Sequence, residues 1–316
     1  MKPVSVASIL LGSALALTAC GPDARNGNGD GSGVDGGNGS GSGSGSGVAQ
    51  ACNKMDLVFV VDDSGSMAEE QDNLGDNFPA FAEVLSNYVN AEGEHIDFRI
   101  AVTTTGKDLT FTLSLGAGFP SLPVSENGDN GEFRNNCGVN RRWLEPTDVN
   151  LGTALACRAA VGTEGPQYEM PLLMSKWALA ERIADGTNAG FLRDDALLGI
   201  VMLTDEDDGS TTASSFTVSA TGNPPTDWNP ADHVAFLDQL KGNRTRWAAG
   251  VIAGQTMCES SFGSAVEATR LQEFVDLTNA QGPQQAVFTS ICDGNLTTAL
   301  TDIVNKFQSA CGNIIL

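Results

Sequence analysis

Three short stretches hold the residue types that could do chemistry. Asp62-Asp63-Ser64-Gly65-Ser66 places carboxylates and hydroxyls side by side, Gly162-Thr163-Glu164-Gly165 offers another hydroxyl, and Asp205-Glu206-Asp207-Asp208 is a run of acids. All offer hard oxygen ligands and none offers imidazole or thiolate, which suits Mg²⁺, Mn²⁺ or Ca²⁺ and argues against Zn²⁺. Few carboxylates among several hydroxyls favour an octahedral ion that keeps some of its waters. A blander role is open to two of these residues, because Asp62 and Ser64 could simply cap the helix that follows them. Asp207 and Asp208 read as solvated loop charge.

Other catalytic chemistry has little to work with. The chain has only 2 His, His95 and His233. Neither sits in a metal-ligand pair or beside a nucleophile motif. Ser64 lacks the Gly-x-Ser-x-Gly elbow of a serine hydrolase. The enzyme class left open is Mg²⁺-dependent phosphoryl transfer with Asp62 as nucleophile. Against it, no Lys or Arg occurs in the three stretches to stabilise phosphate charge. Trp143, Trp228 and Trp247 read as packing residues.

Strands must deliver these loops. Leu57 to Val61 is a continuous apolar run ending at Asp62, and Ala196 to Thr204 is another ending at Asp205. Such runs, too uniformly apolar to have a wet face, read as buried parallel strands, and open α/β sheets bind ligands at their strands' carboxyl ends. Phe98 to Thr103, Trp247 to Ile252 and Ala286 to Ile291 read as further strands, and Leu109 to Leu115 alternates like an edge hairpin. Helices are expected over about Glu69 to Val89, Gln167 to Ala184, Ala231 to Leu240, Ala265 to Asn279 and Leu296 to Ser309. Pro79 implies a kink or a split in the first of these. The alternation of helix and strand predicts a doubly wound, mostly parallel central sheet with helices on both faces. Residues 116–165, rich in Gly, Pro and Asn and containing Cys137 and Cys157, read as a long insertion stapled by its own disulfide. The three oxygen-bearing loops then converge on one end of the sheet.

The 316 residues carry a net charge of −22, so a nucleic acid or an anionic headgroup surface would repel the chain and its partners should be cations, proteins or neutral glycans. Residues 1–19 form a processing signal, with Lys2 ahead of an apolar stretch from Val4 to Leu17 that is too short to span a bilayer. Leu17-Thr18-Ala19-Cys20 resembles the lipobox of bacterial lipoproteins. That resemblance implies cleavage before a lipidated Cys20, a membrane anchor and, with Gly21 and not Asp in the next position, an outer-membrane address in the cell envelope. An ordinary secretory signal that happens to contain a Cys is the alternative. Residues 20–50 then form a Gly/Ser-rich tether with an r.m.s. span of roughly 30 Å, and residues 51–316 one large domain. Setting Cys20 aside leaves Cys52, Cys137, Cys157, Cys258, Cys292 and Cys311, an even set that implies disulfides in an exported chain.

From Asp56 to Ser309 the chain resembles the von Willebrand factor type A domain. Asp62-Asp63-Ser64-Gly65-Ser66 matches that family's Asp-x-Ser-x-Ser motif at the end of its first strand, Thr163 matches its second-loop Thr, and Asp205 its third-loop Asp. The resemblance implies a Rossmann-like sheet carrying a metal-ion-dependent adhesion site, where a carboxylate from a partner completes the metal's coordination. It makes Ser64 and Ser66 direct ligands, with Asp62, Thr163 and Asp205 bound directly or through water. Because type A termini lie close together, it pairs Cys52 with Cys311; Cys137 with Cys157 and Cys258 with Cys292 complete the set. Two features depart from the pattern. The long insertion offers Thr153 as a rival to Thr163, and the acidic run is denser than the family's usual Asp-Gly, leaving room for Ca²⁺ or a second cation. The expectation is a tethered binding module for a protein presenting a carboxylate, or for a glycan, through Mg²⁺, with Mn²⁺ or Ca²⁺ as substitutes. A phosphoryl-transfer hydrolase and a disulfide-stapled structural module are the alternatives.

Overall fold

The apolar runs form the middle of a sheet. A computed structural model describes residues 52–314 except 91, 220, 221, 223, 261, 262, 294 and 295. The processing signal, Cys20 and the tether lie outside the described residues. In chain order the elements are β1 (Lys54–Val61), α1 (Ala68–Asn87), β2 (Asp97–Thr104), β3 (Leu109–Ser114), β4 (Leu122–Glu126), α2 (Leu151–Ala159), α3 (Pro171–Leu179), α4 (Glu181–Ala184) and β5 (Leu197–Leu203). They continue with β6 (Ser215–Ser219), α5 (Pro230–Lys241), β7 (Trp247–Ala253), β8 (Cys258–Ser260), β9 (Gly263–Ala265), α6 (Thr269–Asn279), β10 (Ala286–Ser290) and α7 (Leu296–Gly312).

The central sheet has the order β10-β7-β5-β1-β2, and every pairing in it is parallel. From β1 the chain winds outward to β2, then returns to β5 and winds the other way through β7 to β10. The reversal falls between β1 and β5, so the crevice where open sheets bind ligands lies at the carboxyl ends of these two strands. Both are buried on both faces. Leu57, Phe59 and Val61 pack into the core beneath α1 and α7, while Val58 and Val60 pack into the core beneath α3 and α6. That is why the run lacks alternation. Phe59 meets Phe78 and Phe81 of α1 edge-on, with ring centroids 5.2 Å apart in each case.

Some expectations are adjusted. Helix α1 runs through Pro79 as one element. Pro79 is exposed and Gly75, four residues earlier, is half-buried, so the carbonyl that loses its helical partner can turn to water. The hairpin strand β3 pairs with β4 as expected but lies outside the central sheet, in a separate sheet of order β4-β3-β6. The region 116–165 holds β4 and α2, and it rejoins the main body through a bridge between Ile100 and Leu144. Its interior is organised by buried Arg158, which donates to the carbonyls of Asn136, Val139 and Arg141. The helix expected from Ala265 starts at Thr269, because Gly263–Ala265 pairs with β8 instead. The disulfides are Cys52–Cys311, Cys137–Cys157 and Cys258–Cys292.

Candidate metal centre

Main-chain bonds carry β1 directly into its loop. The Asp62 amide donates to the Leu203 carbonyl at 2.9 Å, extending the β1–β5 pairing one residue beyond the strand. The Asp62 side chain is fully buried and both of its oxygens are engaged: Oδ1 accepts from the Ser64 amide at 2.8 Å and Oδ2 from Thr204 Oγ1 at 2.7 Å. The first contact turns the chain sharply, in the manner of an Asx turn, and brings both serines round to one side. Ser64 Oγ and Ser66 Oγ lie 3.0 Å apart, and Ser66 Oγ donates to Asp205 Oδ1 at 3.3 Å. Three oxygens from the ends of β1 and β5 therefore meet at the sheet's reversal point.

The second loop is stitched to the first. Gly165 donates its amide to the Asp63 carbonyl at 2.7 Å, and a Cβ on Gly165 would fall 2.2 Å from Asp63 Cγ, so this approach requires glycine. Gln71 bridges the same loops: Nε2 donates to the Asp62 carbonyl at 2.8 Å and Oε1 accepts from the Val161 amide at 3.1 Å. Thr163 is thereby held beside Gly65. Thr153 lies elsewhere, on α2, where with Asn150 and the Cys137–Cys157 bridge it lines a separate cavity of about 580 Å³.

Asp207 and Asp208 are not solvated loop charge. Asp207 accepts from Thr269 Oγ1 and from the Arg270 and Leu271 amides at the start of α6. Asp208, 2% exposed, accepts from the Leu172 amide in the first turn of α3, from Ser210 Oγ and from Arg270. The unpaired amides at two helix starts supply what solvent would have supplied. Sequence reasoning passed over Thr204, Gln71, Glu70 and Glu169. The first two brace the loops, and the acids Glu70 and Glu169 are buried close to Asp62.

The electrostatics are lopsided. Asp62, Asp63, Glu70, Glu169 and Asp205 are all buried, and among the described residues none of them forms an ion pair. Burial, then repulsion from Asp129 and Asp62, pushes Asp63 up to about 7. Burial, then Asp62, pushes Asp205 up to about 7. Glu70 is pushed up to about 7, chiefly by burial with added repulsion from Glu69 and Asp62. Asp62 is raised by burial, with Glu206 adding repulsion, and Glu169 is raised by burial and by Asp62 and Glu206. One buried oxygen on each of Asp63, Glu70 and Glu169 has no hydrogen-bond partner. A nearby positive charge would stabilise carboxylates so placed, and a divalent ion at the serine hydroxyls fits that chemistry. No three His, Cys, Asp or Glu among the described residues form a metal cluster by themselves. An ion here would depend on the hydroxyls.

His233 is no catalyst. It is fully buried, 3.2 Å from Ser175 Oγ and 3.4 Å from Trp228 Nε1, and burial drives it down to about 3, so it stays neutral inside the core. Trp247 is also fully buried, with Nε1 donating to Asp238.

No protein-family model and no curated protein sequence matches the chain. Solved structures similar to it include proximal thread matrix protein 1 of the mussel byssus, at 11% identity over 82% of this chain and 48% of that chain, with a TM-score of 0.40. The same mussel protein has a form described with a zinc occupied MIDAS motif, with a TM-score of 0.41 at 11% identity over 81% of this chain and 48% of that one. The pilus adhesin SpaC from Lactobacillus rhamnosus GG matches at 12% identity over 84% of this chain and 31% of that one, with a TM-score of 0.42. The manganese-loaded TRAP protein of Plasmodium vivax matches at 10% identity over 81% of this chain and 75% of that one, with a TM-score of 0.36. This chain spans about half or less of the mussel protein and the pilus adhesin. Its own five-stranded parallel order, with the Asp-x-Ser-x-Ser loop at the carboxyl end of β1, is a doubly wound α/β fold, the architecture that the resemblance to the von Willebrand factor type A domain implied.

Proposed function

We propose that this chain is a cell-envelope lipoprotein whose type A domain binds a protein ligand, or a glycan, through a divalent cation. The observation that carries the reading is the convergence of Ser64, Ser66 and Asp205 oxygens at the sheet's reversal point, ringed by buried acids that form no ion pair among the described residues. Ser64 and Ser66 would hold the ion directly, with Asp62, Thr163 and Asp205 bound directly or through water. Mg²⁺ suits this set best, and Mn²⁺ or Ca²⁺ would substitute. When bound, the ion supplies a local positive point on a domain of strongly negative charge. An acidic side chain of a partner, which the net negative charge of the domain repels, can therefore dock there. Asp62 holds the first loop in shape through Ser64 and Thr204, and Asp205 positions the Ser66 hydroxyl.

The phosphoryl-transfer alternative is the weaker reading. A nucleophilic Asp62 would have to attack from a fully buried side chain whose two oxygens are already engaged. The lipid anchor at Cys20 and the envelope location rest on the sequence around that residue.

Affinity capture from envelope extracts on the immobilised protein tests the function. The reading predicts a captured protein or glycan that is released by EDTA and is not retained by Asp62→Ala. Capture that is indifferent to both would reject it.

A further inference from the structure

The β8–β9 hairpin stands beside the candidate centre and supplies none of its proposed ligands. It is nevertheless held firmly in place. The Cys258–Cys292 bridge ties it to the end of β10, and the Val266 amide donates to the Asp205 carbonyl at 2.9 Å. Gly263 sits at φ +121° against Glu70, where a Cβ would fall 1.5 Å from Glu70 Oε1, so only glycine fits. A hairpin fixed to the backbone of Asp205 on one side and to Glu70 in the first turn of α1 on the other has a set distance from the ion position.

Between hairpin and centre lies a cavity of about 450 Å³. Ser66, Asp205 and Glu206 bound it on one side and Met257, Glu259 and Val266 on the other. The walls have two characters. Met257, 80% exposed, and Val266, 44% exposed, present apolar surface to solvent, while Glu206 and Glu259 are exposed carboxylates. Among the described residues, no basic one lines the cavity. An apolar occupant would strip water from two carboxylates without replacing it, and an acidic one would be repelled. A long aliphatic stem ending in a cation satisfies both walls at once, with the stem along Met257 and Val266 and the head between the glutamates.

We propose that this cavity is a subsite for a Lys or Arg side chain of a protein segment whose nearby carboxylate sits on the ion. The partner is then read as an acid–base pair. This rests on the ion-binding reading above. Because the cavity shares Ser66 and Asp205 with the centre, the two partner residues lie within about three positions of each other, ~10 Å of extended chain.

The test uses the full chain in detergent and fluorescent acetylated heptapeptides with a central Asp. One position within three residues of that Asp is set to Arg, Leu or Glu, and anisotropy is read with Mg²⁺ or EDTA. Wild type should bind the best Arg peptide about fivefold tighter than its Leu counterpart, the scale of solvent-exposed charge pairs. In Glu259→Gln the preference should shrink to about twofold, and in Glu259→Lys it should turn toward the Glu peptide. Glu259 is exposed, so both variants should keep the wild-type circular dichroism spectrum. Mg²⁺-dependent binding that ignores the neighbour's charge, or an Arg preference unchanged in both variants, overturns the subsite and leaves the ion reading standing. Binding that is equal in EDTA, or absent for every peptide in Mg²⁺, overturns the ion reading and the subsite with it.

Discussion

Asp62 is the residue on which the first loop turns. One carboxylate oxygen folds the loop through the Ser64 amide, and the other is held by Thr204 at 2.7 Å from the neighbouring strand. Thr204→Val keeps the shape of the strand end but leaves a buried carboxylate oxygen unpaired. Loss of such an outer-shell partner typically weakens metal affinity 10–100-fold, by about which factor a Mg²⁺ titration of Thr204→Val should fall. The same acids set a pH dependence. With the ion removed by EDTA, folded Asp63, Glu70 and Asp205 hold protons up to about 7, whereas the unfolded carboxyls release them near 3.8 to 4.5. The folded state then binds more protons than the unfolded one, so stability falls as pH rises from about 4 to 7. His233, neutral in the fold down to about 3, acts in the opposite sense below its ordinary 6.5, but the buried carboxyls acting the first way outnumber it, Asp208, raised to about 6, among them. Melting temperatures in EDTA should therefore drop between pH 5 and pH 8, and Mg²⁺ should remove most of that drop by taking the protons' place. At this scale the serines and Asp205 could be read from sequence, because carboxylates and hydroxyls after an apolar run are unusual. Thr204 could not, since a β-branched residue ending a strand looks like more strand. Asp207 and Asp208 were misjudged because the helix starts they serve are distant in sequence.

Elements place the site through the strand order. The two apolar runs were readable as central strands because each is buried on both faces, and their adjacency puts Asp62 and Asp205 side by side. The polar strands β6, β8 and β9 carry no such signal. Each is five residues or fewer and gives the core little, Val218 from β6 and Ala265 from β9 being their buried apolar residues. Helix α2 was obscured by the Gly, Pro and Asn around it, which hid the packing of Leu151 and Leu155 into the core. Closure of the domain is covalent at its ends. Cys52 precedes β1 and Cys311 lies in the last turn of α7, 259 residues apart. Bridging so long a loop stabilises the fold by up to about 5 kcal/mol in the chain-entropy view. The double variant Cys52→Ser, Cys311→Ser should melt well below wild type. Its Mg²⁺ affinity at 25 °C should be unchanged, because the bridge lies at the amino-terminal end of β1, opposite the loops. A loss of affinity with folding intact would show that the ends communicate with the centre.

For the whole molecule, the acidic surface and the proposed anchor fit one role. A chain of net charge −22 is repelled by anionic lipid headgroups, so it needs a covalent attachment to stay at a membrane and a cation to approach an acidic partner. Intact mass of the mature protein should show diacylglycerol on an amino-terminal Cys20, and an unmodified thiol there would refute the anchor. The ion is the claim on which the rest depends. Calorimetric titration of EDTA-stripped, dialysed protein with Mg²⁺ tests it most directly, run in parallel on wild type and Asp62→Ala. The account predicts saturable one-site binding in wild type and none in the variant; equal binding in both proteins, or no heat in either, would contradict it.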